Sequence, residues 1–317
     1  MRIVIGTHFL IVVIGATFCI ATSAMGQERQ SNQPGGLPNP QFENVSYGTH
    51  PSNVLDLWQA RSDRPTPLVV FIHGGGFSQG DKRAGLLKNG MQARVNACLQ
   101  AGISYASINY RLSGVAIYPA QMQDSARAVQ FLRSKAKEWN LDPKRFAACG
   151  GSAGAGISMW LAFRDDLADP SSTDPVARES TRLTCAAVFD AQTSYDPRFI
   201  KQIIPGNAYR HERLIKLFDV KPEEIENPPP EKAKMFEDSS PLTHISPGDP
   251  PVYIWYFGEN KPLGPDADPN LGIHHPKFGA VLKEKMDALK IECTVVSKGD
   301  GNRVADTDFL KSRLGDP

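Results

Sequence analysis

One short stretch, residues 145–156, constrains the fold of this chain more than any other. Its apolar run Phe146–Cys149 has the length and character of a buried β-strand. The glycine-framed segment Gly150–Gly154 follows, and apolar residues with helical spacing continue over Ile157–Leu161. A sharp turn between a strand and a helix requires small neighbours, because larger side chains keep the two elements apart. We therefore expect Ser152 to occupy a strained turn, with its hydroxyl clear of the sheet and beside the first amides of the helix.

A second motif, upstream, gives this serine a chemical interpretation. The β-rich run Pro67–Ile72 ends in the glycine loop His73–Gly76, which has no side chain where a substrate's carbonyl oxygen must sit. The backbone N–H groups of Gly75 and Gly76, together with that of Ala153, are the expected donors to an oxyanion. Donors of this kind contribute roughly 3 kcal/mol each to acyl transfer. Together the two motifs predict a serine nucleophile served by an oxyanion hole.

In this order and separation, the two motifs resemble those of the α/β-hydrolase superfamily, in particular its hormone-sensitive-lipase-like and bacterial feruloyl-esterase-like carboxylesterases. Further matches are Val54–Leu57, Gly80–Lys82, Asn109–Leu112 and Tyr118–Ala120 followed by Asp124. The resemblance covers roughly residues 44–314 and is close up to about residue 191. It implies an α/β-hydrolase fold, with a mostly parallel doubly wound sheet and a small cap insertion. It also implies a serine-type carboxylic-ester hydrolase that acts on a small ester or an acylated sugar.

The order of apolar segments favours the same fold class, because strands that alternate with helices build a parallel α/β sheet. The expected strands are a hairpin of Val45–Tyr47 with Val54–Trp58, then Pro67–Ile72, Ile103–Ile108, Phe146–Cys149, Thr184–Phe189, Val252–Phe257 and Ile291–Val296. The expected helices are Gly85–Leu99, Pro119–Trp139, the segment after Ser152, Lys277–Leu289 and Asp306–Leu314. We assign residues 42–317 to one hydrolase domain. Short helices at about 192–251 are interpreted as a cap over the site, or alternatively as a structural excursion.

The resemblance also implies an acid and a histidine, and this chain departs from it at both positions. Related esterases carry the acid as Gly-x-x-Asp after the penultimate strand, where this chain has Lys261. They carry the histidine as Gly-x-Gly-His after the last strand, where this chain has Asn302. An asparagine amide cannot accept a proton near neutral pH, so neither position supplies the usual chemistry.

Two functional interpretations follow from these departures. In the first, displaced residues complete the site: His275 or His274 is the base and Glu259 or Asp266 the acid, because their loop emerges at the sheet edge that carries the serine. In the second, the fold is kept without hydrolysis and the protein only binds a small molecule. The two histidines also have simpler interpretations, either capping of the next helix or a metal site with Asp266 and Asp268. We favour the hydrolase and expect neither a metal nor a cofactor.

The first 26 residues have the pattern of a secretory signal peptide. Arg2 precedes the apolar run Ile3–Ile20, and Ala21–Gly26 offers small residues to signal peptidase. We expect cleavage after Ala24 or Gly26, export to the periplasm or the medium, and a flexible lead-in over residues 27–41. The alternative is an uncleaved membrane anchor, since the apolar run is nearly long enough to span a bilayer.

The amino-acid composition limits the classes of partner that this protein is expected to bind. A net charge of +1, with 22% charged residues of mixed sign, argues against nucleic acid. No later stretch is apolar enough to span a bilayer, so no stable membrane insertion is expected after signal cleavage. The dispersed cysteines after the signal are expected to be buried thiols rather than a disulfide framework, and their spacing suggests no zinc site; they are Cys98, Cys149, Cys185 and Cys293.

Overall fold

The apolar runs of the sequence form the strands of one sheet. The computed structural model describes residues 36–88, 90–300 and 306–315. Within these ranges the strands are β1 Phe42–Ser46, β2 Val54–Trp58, β3 Thr66–Ile72, β4 Ser104–Ile108, β5 Leu141–Gly151, β6 Cys185–Phe189, β7 Val252–Tyr256 and β8 Cys293–Ser297. Their order in the sheet is β1-β2-β4-β3-β5-β6-β7-β8. The predicted hairpin and inner strands are therefore present, each within a few residues of its expected bounds.

The sheet is mostly parallel. β2 pairs antiparallel with both β1 and β4, whereas every other neighbouring pair is parallel. The carboxyl ends of β3, β5, β6 and β7 therefore lie at one edge of the sheet, where ligands bind in open α/β folds. The residues that follow these strands are the candidates for a functional site.

All seven residues of β3 are buried, as expected for a strand with helices on both faces. Leu68, Val70 and Ile72 pack into one apolar cluster, and the alternating Val69 and Phe71 pack into another. Successive side chains of a strand point to opposite faces, so the sheet separates two cores.

The helices cover both faces of the sheet. In the described ranges they are α1 Lys82–Leu86, α2 Met91–Gln100, α3 Ala120–Ser134, α4 Ala153–Phe163, α5 Pro197–Ile203, α6 Glu212–Phe218, α7 Pro230–Ser239, α8 Pro241–His244, α9 Pro269–Ile273, α10 Lys277–Ala288 and α11 Asp306–Leu314, with short 3-10 turns at Ala208–Arg210 and Pro222–Glu224. α3, α4 and α10 contribute to one core, and α2 and α11 to the other. α5 to α8 occupy the insertion between β6 and β7.

The single helix predicted over Gly85–Leu99 is wrong, because this segment forms two helices. Asp81 starts α1 early, since its carboxylate accepts the backbone N–H groups of Arg83 at 2.8 Å and Ala84 at 3.2 Å. Gly90, with φ of 74°, precedes α2, and such a residue cannot continue a right-handed helix. α1 lies alongside the start of the glycine loop that follows β3, since a Cβ atom on Gly85 would stand 3.2 Å from the Cβ of His73.

The predictions for the cysteines and for the first residues have separate results. The four cysteines after the expected signal are buried and free. The expected signal peptide of residues 1–26 lies outside the described residues, as does the lead-in up to residue 35. In the part of the chain that the structure describes, no helix has the length and apolar character needed to cross a membrane.

Candidate active site

Ser152 sits in a strained turn between β5 and α4. Its φ of 52° and ψ of −120° are unusual for a residue with a side chain. A Cβ atom on Gly150 would lie 2.4 Å from the Ile72 carbonyl oxygen, and one on Gly154 would lie 2.0 Å from the same atom. Only glycine fits at both positions, so the two glycines allow β3, β5 and α4 to meet. The expected geometry of the serine turn is present.

The glycine loop after β3 passes directly beside this serine. A Cβ atom on Gly74 would lie 3.5 Å from the Cβ of Ser152. Gly75 and Gly76 have φ angles of 112° and 58°, which residues with side chains rarely adopt. Among the described residues, no backbone carbonyl accepts a hydrogen bond from the N–H groups of Gly75, Gly76 or Ala153. These three groups remain available to a ligand beside Ser152.

His73 holds the loop in place. Its buried ring stacks on Tyr110 with 4.4 Å between centroids, and its Nδ1–H donates to the Gly74 carbonyl at 2.8 Å. The Tyr110 hydroxyl donates to the His73 carbonyl at 2.9 Å. Burial lowers the pKa of His73, although the Gly74 carbonyl opposes the shift, so the ring is neutral near pH 7. His73 therefore stabilises the loop, whereas the hydrogen-bond partner of the serine hydroxyl is another histidine.

The serine hydroxyl is paired with His274. Ser152 Oγ lies 2.9 Å from His274 Nε2, and His274 Nδ1 lies 2.9 Å from the carbonyl oxygen of Asn270. A carbonyl oxygen only accepts hydrogen bonds, so the ring proton belongs on Nδ1. Nε2 then carries a lone pair and accepts the hydroxyl proton. The backbone of Asn270 thus fixes the tautomer that a general base needs.

Hydrogen bonds within the loop and to the residues after β6 fix the segment that carries His274. Asp268 caps α9 by accepting the backbone N–H of Asn270 at 2.9 Å. The buried Gln192 amide donates to the carbonyls of Ile273, at 2.7 Å, and Asp190, at 3.2 Å. These bonds connect the residue before His274 to the end of β6.

Asp190 is a site residue that the sequence analysis missed. It follows β6 directly with φ of 47°, and its Oδ1 accepts the backbone N–H of Phe257 at 2.9 Å. Burial raises the pKa of Asp190, although the hydrogen bond from the Phe257 amide and the charge of His274 act to lower it. Burial lowers the pKa of His274, against the negative charge of Asp190 and the Asn270 carbonyl. The sequence feature that could have revealed Asp190 is its position directly after a strand, β6, that lies parallel to the strand before Ser152.

The other predicted base and acids lie elsewhere. His275 Nε2–H donates to the Lys261 carbonyl at 2.8 Å. From a position just before the N-cap Pro276, its Nδ1 accepts the backbone N–H of Lys277, the first residue of α10, at 3.0 Å. Glu259 forms an exposed ion pair with Lys261 at 2.5 Å. Asp266 is exposed. Within the described ranges neither carboxylate forms a hydrogen bond with His274.

The structure describes one of the two residues that replace the expected acid and histidine. Lys261 is exposed and paired with Glu259. Asn302 lies outside the described residues. In the ranges that are described, no group of three His, Cys, Asp or Glu is arranged to hold a metal ion.

A cavity of about 500 Å³ opens beside Ser152. Its wall combines the glycine loop with Phe71 and Phe189, and polar groups of Asp81 and Asp190 reach it. Ser152, the N–H group of Gly75 and a half-open space for a ligand therefore adjoin one another. This arrangement is suited to an attack on a carbonyl carbon.

The sheet order and the serine turn after the fifth strand define an α/β-hydrolase fold, and the family match and the relatives place the chain in its esterase branch. The sequence pattern of the BD-FAE family matches residues 55–266, more than half of the chain, and the chain belongs to that family. The resemblance noted from the motifs and the predicted fold class are both confirmed.

Relatives and solved structures agree with this placement. The chain is 28% identical over 228 residues to the "Probable carboxylic ester hydrolase LipM" of Mycobacterium tuberculosis, which covers 70% of this chain and 48% of that protein. It spans about half the length of the curated relatives it matches. A "truncated form of carbohydrate esterase from gut microbiota" superposes with a TM-score of 0.63 at 20% identity, covering 86% of this chain and 95% of that one. The propionate-bound esterase Est2 of Thermogutta terrifontis gives 0.60 at 19%, covering 86% and 92%. At these identities the structures show the fold alone.

The close contact of Gly154 with Ile72 gives a first prediction. Gly154→Ala forces a methyl group against the Ile72 carbonyl, and we expect a loss of at least about 2 kcal/mol in the free energy of unfolding. Gly114→Ala is the matched control, because a Cβ atom there meets nothing within 4 Å. Urea denaturation of both variants measures the difference. Equal unfolding midpoints would contradict the steric account of the serine turn.

Proposed function

We propose that this protein is a carboxylic ester hydrolase with Ser152 as nucleophile and His274 as general base. The observation that carries the proposal is the 2.9 Å contact between Ser152 Oγ and His274 Nε2, with the ring proton held on Nδ1 by Asn270. A serine becomes nucleophilic when an adjacent base can take its proton, and this contact meets the distance requirement.

The chemistry proceeds in two halves. Ser152 Oγ attacks the acyl carbon while its proton passes to His274 Nε2, and the carbonyl oxygen becomes an oxyanion. His274 then gives that proton to the departing alkoxide, which leaves an acyl group on the serine. Water attacks the acyl carbon with His274 again as base; the bond to Ser152 Oγ then breaks, His274 returns the proton to that oxygen, and the acid leaves. Proton and charge balance in each half.

The oxyanion is held by the backbone N–H groups of Gly75, Gly76 and Ala153. Support comes from the loop's position beside Ser152 and from the absence of a carbonyl acceptor for these groups in the described residues. Donors fixed in advance by the backbone need no reorganisation when charge develops, so they stabilise the transition state more than the substrate.

Asp190 supplies the negative charge that stabilises the imidazolium of His274. The two groups interact electrostatically, and Phe257 holds the carboxylate by its backbone N–H. In this proposal the two tasks of a triad acid are divided, since the Asn270 carbonyl orients the ring and Asp190 provides charge. Glu259 and Asp266, the acids predicted from the sequence, have neither contact.

The substrate class we propose is a small ester or an acylated sugar. The cavity beside Ser152, about 500 Å³, suits a ligand of that size. The carbohydrate esterase among the structural relatives supports the sugar ester by its name. The competing function, a protein that binds without hydrolysis, rests on Lys261 and Asn302. The Ser152–His274 contact favours hydrolysis over binding alone.

Removal of the proposed base gives the second prediction. His274→Ala, like Ser152→Ala, is expected to lower kcat for p-nitrophenyl acetate by roughly 10³-fold or more, because serine and base act as one unit. His275→Ala is the matched control: the neighbouring imidazole is lost, and we expect kcat within about threefold of the wild type. Initial rates, read as nitrophenolate release, measure all three variants.

A fluorophosphonate probe separates an inactive site from an inactive preparation. We expect Ser152 to be labelled in the wild type and in His275→Ala, slowly in His274→Ala, and not at all in Ser152→Ala. Folded wild-type protein that is neither labelled nor active would establish the binding protein instead. Loss of activity in His275→Ala with full activity in His274→Ala would assign the base to the other histidine.

The pH profile gives the third prediction. His274 must be neutral to act, so kcat/KM is expected to fall as pH drops through its pKa, which burial places below the ordinary value of 6.5. Asp190→Asn removes the charge that opposes this shift. The acidic limb is therefore expected at a lower pH than in the wild type, and the plateau about tenfold or more lower, because the imidazolium loses its counter-charge.

Glu259→Gln is the control for this profile. Its carboxylate pairs with Lys261 in solvent, so we expect a profile that superposes on that of the wild type. An acidic limb that moves with Glu259→Gln and stays in place with Asp190→Asn would assign the acid to the loop after β7.

The first residues support a further proposal, export with removal of residues 1–24 or 1–26. Ala21–Gly26 supplies the small residues that signal peptidase prefers after an apolar run. As a fourth prediction, mass spectrometry of protein expressed from the full sequence in a Gram-negative bacterium yields an N-terminus at Met25 or Gln27. Recovery of an intact Met1 in the membrane fraction would favour the uncleaved anchor.

A further inference from the structure

The first turn of α6 contacts both halves of the candidate active site. His211, at the N-cap of α6, reaches α9, where its Nε2 lies 3.2 Å from Asn270 Oδ1. Its Nδ1 accepts the backbone N–H of Arg213 at 3.1 Å, so the ring proton is on Nε2 and donates to Asn270. Asn270 is the residue whose carbonyl orients His274. His211 is therefore connected to the proposed base, His274, through a single intervening residue, Asn270.

Arg213, two residues further on, contacts the glycine loop. Its side-chain carbons lie where a Cβ atom on Gly76 would stand, the nearest at 2.7 Å from that point. Its guanidinium donates to the hydroxyl of Ser78, and Ser78 in turn donates to the Gly76 carbonyl at 3.2 Å. Arg213 thus covers the loop that presents the oxyanion donors.

α9, the helix that His211 contacts, is too short to be stable without packing against other parts of the protein. α9 has five residues, and an isolated helix of that length is unstable in water. It lies against the turn Ala208–Arg210, where a Cβ atom on Gly272 would meet the Ala208 Cβ at 2.6 Å. Within its own loop the exposed Asn270 is held by Asp268, and the hydrogen bond from His211 adds a restraint from outside α9.

We propose that His211 and Arg213 are positioning residues, which hold the His274 loop and the glycine loop in register through one turn of α6. His211 acts through Asn270 on the base, and Arg213 acts through Gly76 and Ser78 on the oxyanion donors. The inference rests on the proposed function and goes beyond it by assigning alignment of the catalytic groups to the insertion between β6 and β7. Small displacements of catalytic groups change rates strongly, since proton transfer needs heavy atoms about 3 Å apart.

The test separates positioning from simple helix capping. His211→Asn keeps a residue that caps helices well but is too short to reach Asn270, whereas His211→Ala loses both contacts. We expect His211→Asn to keep the wild-type melting temperature and KM, and to lower kcat for p-nitrophenyl acetate about five- to tenfold. Lys216→Ala, an exposed position on the same helix, is the control and is expected to match the wild type.

Double variants identify the group through which each residue acts. In a His274→Ala background, His211→Asn is expected to have no further effect, because its partner is gone. Arg213→Ala is expected to lower kcat about tenfold in both backgrounds, because the oxyanion donors act without His274. Arg213→Lys, which keeps the charge and most of the stem, is expected to restore part of that loss.

Specific outcomes overturn the inference. A wild-type kcat in His211→Asn or in Arg213→Ala, alongside a large loss in His274→Ala, overturns the positioning proposal and leaves the proposed function intact. An equal loss from His211→Asn with and without His274 overturns the route through the base. Full activity of His274→Ala overturns the proposed function together with the role of His211.

Discussion

The approach of two glycines to the Ile72 carbonyl oxygen is the constraint on which the site depends. β3 and β5 are neighbours in the sheet, and the glycine loop and the serine turn follow them at the same edge. Gly150 and Gly154 let the start of α4 approach the end of β3, where any side chain would collide. Ser152 then has a strained backbone, and its hydroxyl lies beside the loop with the free N–H groups. Strain of this kind persists only where the surrounding packing enforces it.

The electrostatics of the proposed base, His274, depend on which groups perform the two functions of a triad acid. A triad acid both orients the histidine ring and stabilises its charge. Here a backbone carbonyl, that of Asn270, orients His274, and Asp190 carries the negative charge. A carbonyl cannot take a proton or lose its orienting role with pH, so the tautomer persists across the range where the base works. The lowered pKa of His274 keeps the ring neutral near pH 7, as a proton acceptor requires.

The sequence predicted the features that are local along the chain. Each of the strands, the serine turn and the glycine loop lies within about a dozen residues, and the glycines of the turn and the loop have one steric explanation. His274 and His275 could not be distinguished, because adjacent residues point in different directions according to where α9 ends and α10 begins. Asp190 was missed because nothing around it forms a motif, and its role arises from the neighbouring strand. Asn270 acts through its backbone, which no residue type reveals. The helix predicted over Gly85–Leu99 is two helices, because Asp81 caps the first before residue 85 and Gly90 has a left-handed backbone that interrupts the segment.

In the proposed mechanism the Asn270 carbonyl holds the proton of His274 on Nδ1 and leaves Nε2 free for the serine. Nitrogen-15 NMR of protein labelled in histidine, with His274→Ala to assign its signals, tests this directly at a pH where the ring is neutral. We expect a protonated Nδ1 and an unprotonated Nε2 for His274. A proton on Nε2, with a bare Nδ1, would contradict the mechanism, because that ring could not accept the Ser152 proton.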